Sequence, residues 1–169
     1  MSVRPFSLLL AIAFGASCAG TAAARSGDRS QPMDIEASQT SGTLDDREPT
    51  ILSGNVKIDQ GTLHIDADRA VVTLKGSEPV RAVLTGNQAV LKQQMDNGTP
   101  MTARADRIDY DMVADVVVLT GNYTVTTQRG STSGQRLTYN LKSGQVDSGG
   151  QDGGRVKMRI LPKSQRTQN

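Results

Sequence analysis

His64 is the only histidine in the sequence and Cys18 the only cysteine. Catalysis by side chains needs a nucleophile beside a base, a pair of acids, or a metal. His64 has no thiol beyond the first 24 residues to activate, so a Ser–His arrangement would rest on it alone. A structural zinc site wants four N or S ligands, which this composition does not provide. Asp66 and Asp68 offer carboxylates but lack the Gly and distal Glu of a calcium loop. Asp68-Arg69 and Asp106-Arg107 are neighbours on extended backbone, so within each pair the side chains point to opposite faces. They suit anchoring a turn or pairing across strands, not an acid–base dyad. No catalytic residue, metal ligand or cofactor is expected, and His64 reads as a solvent-facing strand histidine.

What the sequence does carry is repetition. Leu84-Thr85-Gly86-Asn87 returns as Leu119-Thr120-Gly121-Asn122, and Leu52-Ser53-Gly54-Asn55 precedes both. A unit recurring about every 30 to 35 residues marks stacked supersecondary elements. Gly takes positive φ at little cost and Asn tolerates it, so each copy reads as a bend or bulge between paired strands. A second motif sits inside the repeat. Ile65-Asp66-Ala67-Asp68-Arg69 corresponds to Ala103-Arg104-Ala105-Asp106-Arg107, and more loosely to Ser133-Gly134-Gln135-Arg136. Asp34-Ile35-Glu36-Ala37-Ser38 is a truncated opening copy.

The elements between the motifs alternate with period 2, the pattern of strands with one buried face. Met33 and Ile35, then Ile108, Tyr110 and Met112, then Leu137 and Tyr139, then Val156, Met158 and Ile160 all follow it. Val116 to Leu119 is apolar on both faces and predicts a covered central strand. Asp96-Asn97-Gly98 predicts a type I′ hairpin. No segment after the N-terminus shows the i, i+3, i+4, i+7 stripe of an amphipathic helix. The sum is an all-β fold of about fourteen to sixteen short strands, as a sandwich, barrel or jelly roll.

Residues 1–24 predict a secretory signal peptide: Arg4, an apolar run from Phe6 to Ala16, and small residues at Ala22-Ala23-Ala24. A lipoprotein processed at Cys18 is the rival, disfavoured by Gly15 where a larger aliphatic residue belongs. Residues 25–31 predict a flexible N-terminus, and 163–169 a disordered polar tail. An exported domain without a disulfide suits the periplasm. Charge is nearly balanced, with 19 basic and 17 acidic residues, and Trp is absent, so nucleic acid is not an expected partner.

The inward positions are the informative ones. Met33, Ile35, Leu91, Ile108, Tyr110, Met112, Tyr123, Leu137 and Tyr139 gather the three tyrosines and two of the methionines on inward faces. They fit an ordinary packed core, and they equally fit a lining that repacks around an apolar guest. Met33 and Ile35 at one end, with Val156, Met158 and Ile160 at the other, lie on edge strands open to docking by strand addition.

Taken together, the leader, Gln31 to Ala37, Leu52-Ser53-Gly54-Asn55-Val56, Gln60 to Asp68, Met95-Asp96-Asn97-Gly98 and Val117 to Asn122 resemble the OstA-like family of periplasmic lipopolysaccharide-transport proteins. The resemblance implies a single twisted, slightly open β-jelly roll over residues 32–162. It implies lipopolysaccharide as cargo, with the lipid A acyl chains inside a groove lined by the positions above. It also implies three protein partners: an inner-membrane LptC-like jelly roll, an outer-membrane LptD-like translocon, and further copies stacked head to tail. The alternative is a structural β-repeat envelope-assembly module with a packed core and no lipid.

Overall fold

The computed structural model describes residues 26–43, 47–95, 97–149 and 154–163. The predicted leader, the Asp45-Asp46 turn, Asp96, most of the Gly149 to Gly154 stretch and the tail from residue 164 lie outside them. The strands are β1 (Met33–Glu36), β2 (Gln39–Ser41), β3 (Thr50–Gln60), β4 (Leu63–Lys75) and β5 (Glu78–Gln94). They continue as β6 (Pro100–Asp111), β7 (Val116–Thr127), β8 (Gly130–Asn140), β9 (Val146–Ser148) and β10 (Lys157–Ile160). All pairings are antiparallel, in the order β1-β3-β4-β5-β6-β7-β8-β10, with β2 also on β3 and β9 on β8. The path runs from β1 to β10 without closing, which leaves, among the described residues, a free edge at each end.

The ten strands among the described residues are fewer and longer than the sequence suggests, reaching 17 residues in β5. The Gly-Asn motifs do not separate strands. They are bulges inside them, where the register shifts between Ser53 and Val56, between Thr85 and Ala89, and between Thr120 and Tyr123. Gly54 and Asn55 have φ of 75° and 49°, and Gly121 and Asn122 of 77° and 45°. In β5 the positive φ falls instead on Gln88, at 69°.

The second motif locks these bulges. Asp68 accepts the Asn87 backbone N–H at 2.8 Å, and Asp106 accepts the Asn122 side-chain amide at 2.9 Å. The absence of a Cβ is what admits them: one on Gly86 would meet Asp68 at 2.8 Å, and one on Gly121 would meet Asp106 at 2.5 Å. Ser38, from the truncated copy, takes the same place against Gly54, and its N–H donates to the Gly54 carbonyl at 2.8 Å. The turn-anchoring role expected of the aspartates is therefore a bulge-anchoring one. Gly121→Ala combines positive φ with this clash and should cost ~2 kcal/mol or more. Gly98→Ala, at φ 77° in open space, should cost ~1 kcal/mol. Urea midpoints of the two variants would check the contrast.

Bulges also set which residues are buried. In β4 the inward set changes from Leu63 and Ile65 to Ala70 and Val72, and in β6 from Ala103 and Ala105 to Ile108 and Tyr110. An inserted residue reverses the side-chain alternation, so each strand keeps its apolar side inward while bending. The core runs along the whole inner face, and Val56, Ile58, Leu84, Ala89 and Ile108 are fully buried.

Three further expectations are corrected. The hairpin between β5 and β6 is not a two-residue type I′ turn. Met95 N–H donates to Thr99 O at 2.8 Å and Gly98 N–H to Met95 O at 2.7 Å, so a three-residue loop with Gly98 at positive φ closes it. β7 is central, yet its outward Val116 and Val118 are only half-buried, because among the described residues no second layer covers that face. Finally, residues 26–30 form a 3-10 turn where a flexible segment is predicted. Asp28 ties it down by accepting the Thr62 N–H at 3.0 Å and the Thr62 hydroxyl at 2.5 Å.

Candidate functional site: an apolar interior between two free edges

The inner face is crossed by rows of facing side chains. One row begins at Ile35 on β1 and passes through Ile58, Ile65 and Leu91. It continues through Ala103, Val125 and Thr132 to Met158 on β10. Residue size varies along it. The β-branched and Leu side chains of β3, β4 and β5 fill the space between the folded walls, and Ile58, Ile65 and Leu91 are 1% exposed or less. Ala103, Val125 and Thr132 do not fill theirs. A cavity of about 240 Å³ opens there, with Met95, Met101, Leu119, Leu137 and Tyr139 among its walls. Its lining is almost wholly apolar. A second concavity of about 520 Å³ opens near β1, bounded by Ile35, Ala37, Leu52, Val72, Leu74 and Pro79 among others.

The predicted lining residues all lie on this inner face, but in two environments. Ile108, Tyr110 and Tyr123 are sealed within the packed middle, and Leu91 and Leu137 are buried where it borders the cavity. Met33, Ile35, Met112 and Tyr139 are half-buried and pack against that core. The tyrosines fit because their cross-strand neighbours are small: Tyr110 faces Ala82 and Val117, and Tyr123 faces Gly134. The Tyr123 hydroxyl is buried without a hydrogen-bond partner. Ala103, Thr132 and Leu74 are not among the lining residues expected from the sequence. Small residues at inward positions of adjacent strands signal a gap, and that signal is readable only once the register is known.

The edge residues divide in the same way. Met33 and Ile35 are half-buried, whereas Val156, Met158 and Ile160 are 38%, 67% and 69% exposed. Leu161 N–H donates to Arg129 O at 3.0 Å, so ladder alternation turns the N–H and C=O of Met158 and Ile160 to the free side. β10 thus presents an open row of donors and acceptors beside exposed apolar side chains.

The outer face carries the charged side chains, among valines such as Val116 and Val118. His64 is exposed there and pairs with Asp59. Arg81 holds Asp109 through two hydrogen bonds of 2.7 Å, with Arg107 at 3.4 Å. The Arg81 hydrogen bond lowers the Asp109 pKa and outweighs partial desolvation, which acts the other way. A depressed folded pKa contributes stability that is fully present above the ordinary carboxylate value of ~3.9 and is lost as pH falls through the lowered one. Asp109→Asn should therefore reduce stability slightly at pH 7 and reduce its loss below pH 4, measured by thermal unfolding across that range.

Residues 34–145 match the family model described as LptA/(LptD N-terminal domain) LPS transport protein. The lipopolysaccharide export system protein LptA of Escherichia coli K12 is 34% identical over 145 residues, covering 85% of this chain and 78% of that one. LptA of Haemophilus influenzae is 27% identical over 138 residues, covering 80% of each. The crystal structure of LptH, the LptA-homologous periplasmic component of the lipopolysaccharide transport device of Pseudomonas aeruginosa, superposes with a TM-score of 0.71. It is 22% identical and covers 80% of this chain and 99% of that one, a likeness of fold: an open, jelly-roll-like antiparallel sheet. With the model match spanning most of the chain, the protein belongs to the LptA/LptD N-terminal-domain family of lipopolysaccharide transport proteins.

Proposed function

We propose that the protein carries lipopolysaccharide through the periplasm, with lipid A acyl chains against the inner face and sugars in water, as one link of a bridge between the two membranes. The observation that carries the reading is the apolar cavity beneath Ala103, Val125 and Thr132, on the row that runs from one free edge to the other. Each CH₂ withdrawn from water contributes about 0.8 kcal/mol, so a multi-acyl lipid needs an apolar path across an aqueous space. A lining without reactive groups holds acyl chains by contact alone and lets them slide. Among the described residues no helix is long and apolar enough to cross a membrane.

A bridge requires several such domains in series, because the path runs across the strands, and eight strands ~4.8 Å apart advance only ~34 Å. We infer head-to-tail stacking through β1 and β10, ending on an LptC-like jelly roll at the inner membrane and an LptD-like translocon at the outer. Two experiments test the parts separately. Val125→Glu places a charge in the half-buried cavity wall; it should weaken lipopolysaccharide binding by purified protein at least tenfold and leave the fold intact. Unchanged affinity would remove the cavity from the reading. Met158→Pro deletes a free-side donor without touching a β8 hydrogen bond, so light scattering should show folded monomers. Long oligomers of that variant would exclude docking through β10.

The sealed middle favours a second reading, a structural assembly module with a packed core and no guest. It predicts no lipopolysaccharide binding by the wild-type protein.

A further inference from the structure

Head-to-tail stacking, on which this inference rests, leaves open which residues of the two terminal strands face each other. The outer face supplies an answer. On β1, Asp34 and Glu36 point outward, beside Asp59 and Lys57 of β3. On β10, Lys157 and Arg159 point outward, beside Ser133 and Ser131 of β8. All four charged residues are exposed, and none forms an ion pair among the described residues. Asp34 stands directly opposite Asp59, a like-charge cross-strand pair that costs stability. One free edge thus carries exposed carboxylates, Asp34 opposite a like charge and Glu36 opposite Lys57, and the other carries exposed cations facing only serines.

The charges also lie at matching levels of the sheet. The outer row through Lys57 and Asp66 crosses Val90, Arg104, Thr124 and Ser133 to reach Lys157. Glu36 begins that same row. The next row begins at Asp34 and ends at Arg159. On the inner face, Ile35 and Met158 are likewise the two ends of one row.

We propose that these edges encode one register between copies of this chain. β10 receives β1 of a second copy antiparallel, with Lys157 facing Glu36 and Arg159 facing Asp34. Met158 then meets Ile35 and Ile160 meets Met33, so every residue of both four-residue strands is paired and the inner row continues into the next molecule. A slip of one residue turns the apolar side chains outward. A slip of two sets Arg159 against Pro32 and Ile160 against Gln31, which leaves Glu36 without a cation of β10 and Ile160 without an apolar partner. Pairing β1 with β1, or β10 with β10, sets like charges against each other and is disfavoured. The code therefore fixes polarity as well as register, and it makes chain length sensitive to salt.

Cysteine pairs read the register directly, since the chain's only cysteine, Cys18, lies in the predicted leader. Glu36→Cys with Lys157→Cys in one chain should give disulfide-linked ladders on oxidation. Asp34→Cys with Lys157→Cys, the two-residue slip, should give at least tenfold less. Ladders from the second pair and not the first would overturn the register while stacking stands. Separately, Lys157→Glu with Arg159→Glu should weaken self-association at least tenfold at low ionic strength. Adding Asp34→Lys and Glu36→Lys should restore it. Self-association unmoved by the reversal would overturn the charge code alone. A wild type that stays monomeric at high concentration and gives no ladders from either pair would remove stacking, and the register with it.

Discussion

Tyr110→Asp is expected to leave the domain largely unfolded at 25 °C. Tyr110 is 2% exposed, seated over Ala82 and Val117 in the sealed middle of the inner face. Truncating a buried aromatic costs ~3–5 kcal/mol through lost burial and the cavity left behind. A carboxylate at that position adds several kcal/mol more, because it must stay buried without a partner or take up a proton. Small domains have only ~5–15 kcal/mol in hand. Val125→Glu, by contrast, points from a half-buried wall into open space and should fold. Circular dichroism of the two variants separates a packed middle from an accessible end. A well-folded Tyr110→Asp protein would mean that the walls part readily along their whole length. If they do not, lipid must part them, and binding should then raise the melting temperature by mass action on the folded state.

Gly130→Val is expected to abolish self-association while leaving β3 to β7 intact. Gly130 has φ 142°, and a Cβ on it would lie far inside van der Waals contact with the Arg159 carbonyl. That obstacle is backbone, so β10 must leave β8. Its departure exposes little, because Met158 and Ile160 are already 67% and 69% exposed. The loss in stability should stay near ~1–2 kcal/mol, the scale of a strained backbone position. Docking should drop by two orders of magnitude or more, since strand addition depends on a continuous row of backbone hydrogen bonds. Sedimentation across a concentration series would measure the loss of docking, and urea unfolding the loss in stability. Unaltered oligomers would place the contact elsewhere.

The fold was legible where one local rule decided it. Period-2 alternation found the strands, and the three Leu-Ser/Thr-Gly-Asn copies with their Ala-Asp-Arg partners found the repeat. Whether Gly54-Asn55 breaks a strand or bulges within it was not legible. Both need positive φ, and the outcome depends on partners such as Ser38 and Asp68 on neighbouring strands. The interior was legible as a face and not as a volume. Leu91 and Val125 flank Ala103 with the same periodicity and both border the gap over it, yet Leu91 is 1% exposed and Val125 half-buried. The Asp28 clamp was hidden for a similar reason: its partner, Thr62, is 34 residues away.

The central claim is that acyl chains travel against the inner face from one edge to the other. Photo-crosslinking in living cells tests it most directly, with the reactive residue at Leu74 near β1 and at Val125 near β10. The outward neighbours Thr73 and Thr124 serve as controls. Lipopolysaccharide adducts are expected at both inner positions and none at the outer ones. Adducts at neither inner position, or at inner and outer positions alike, would contradict it.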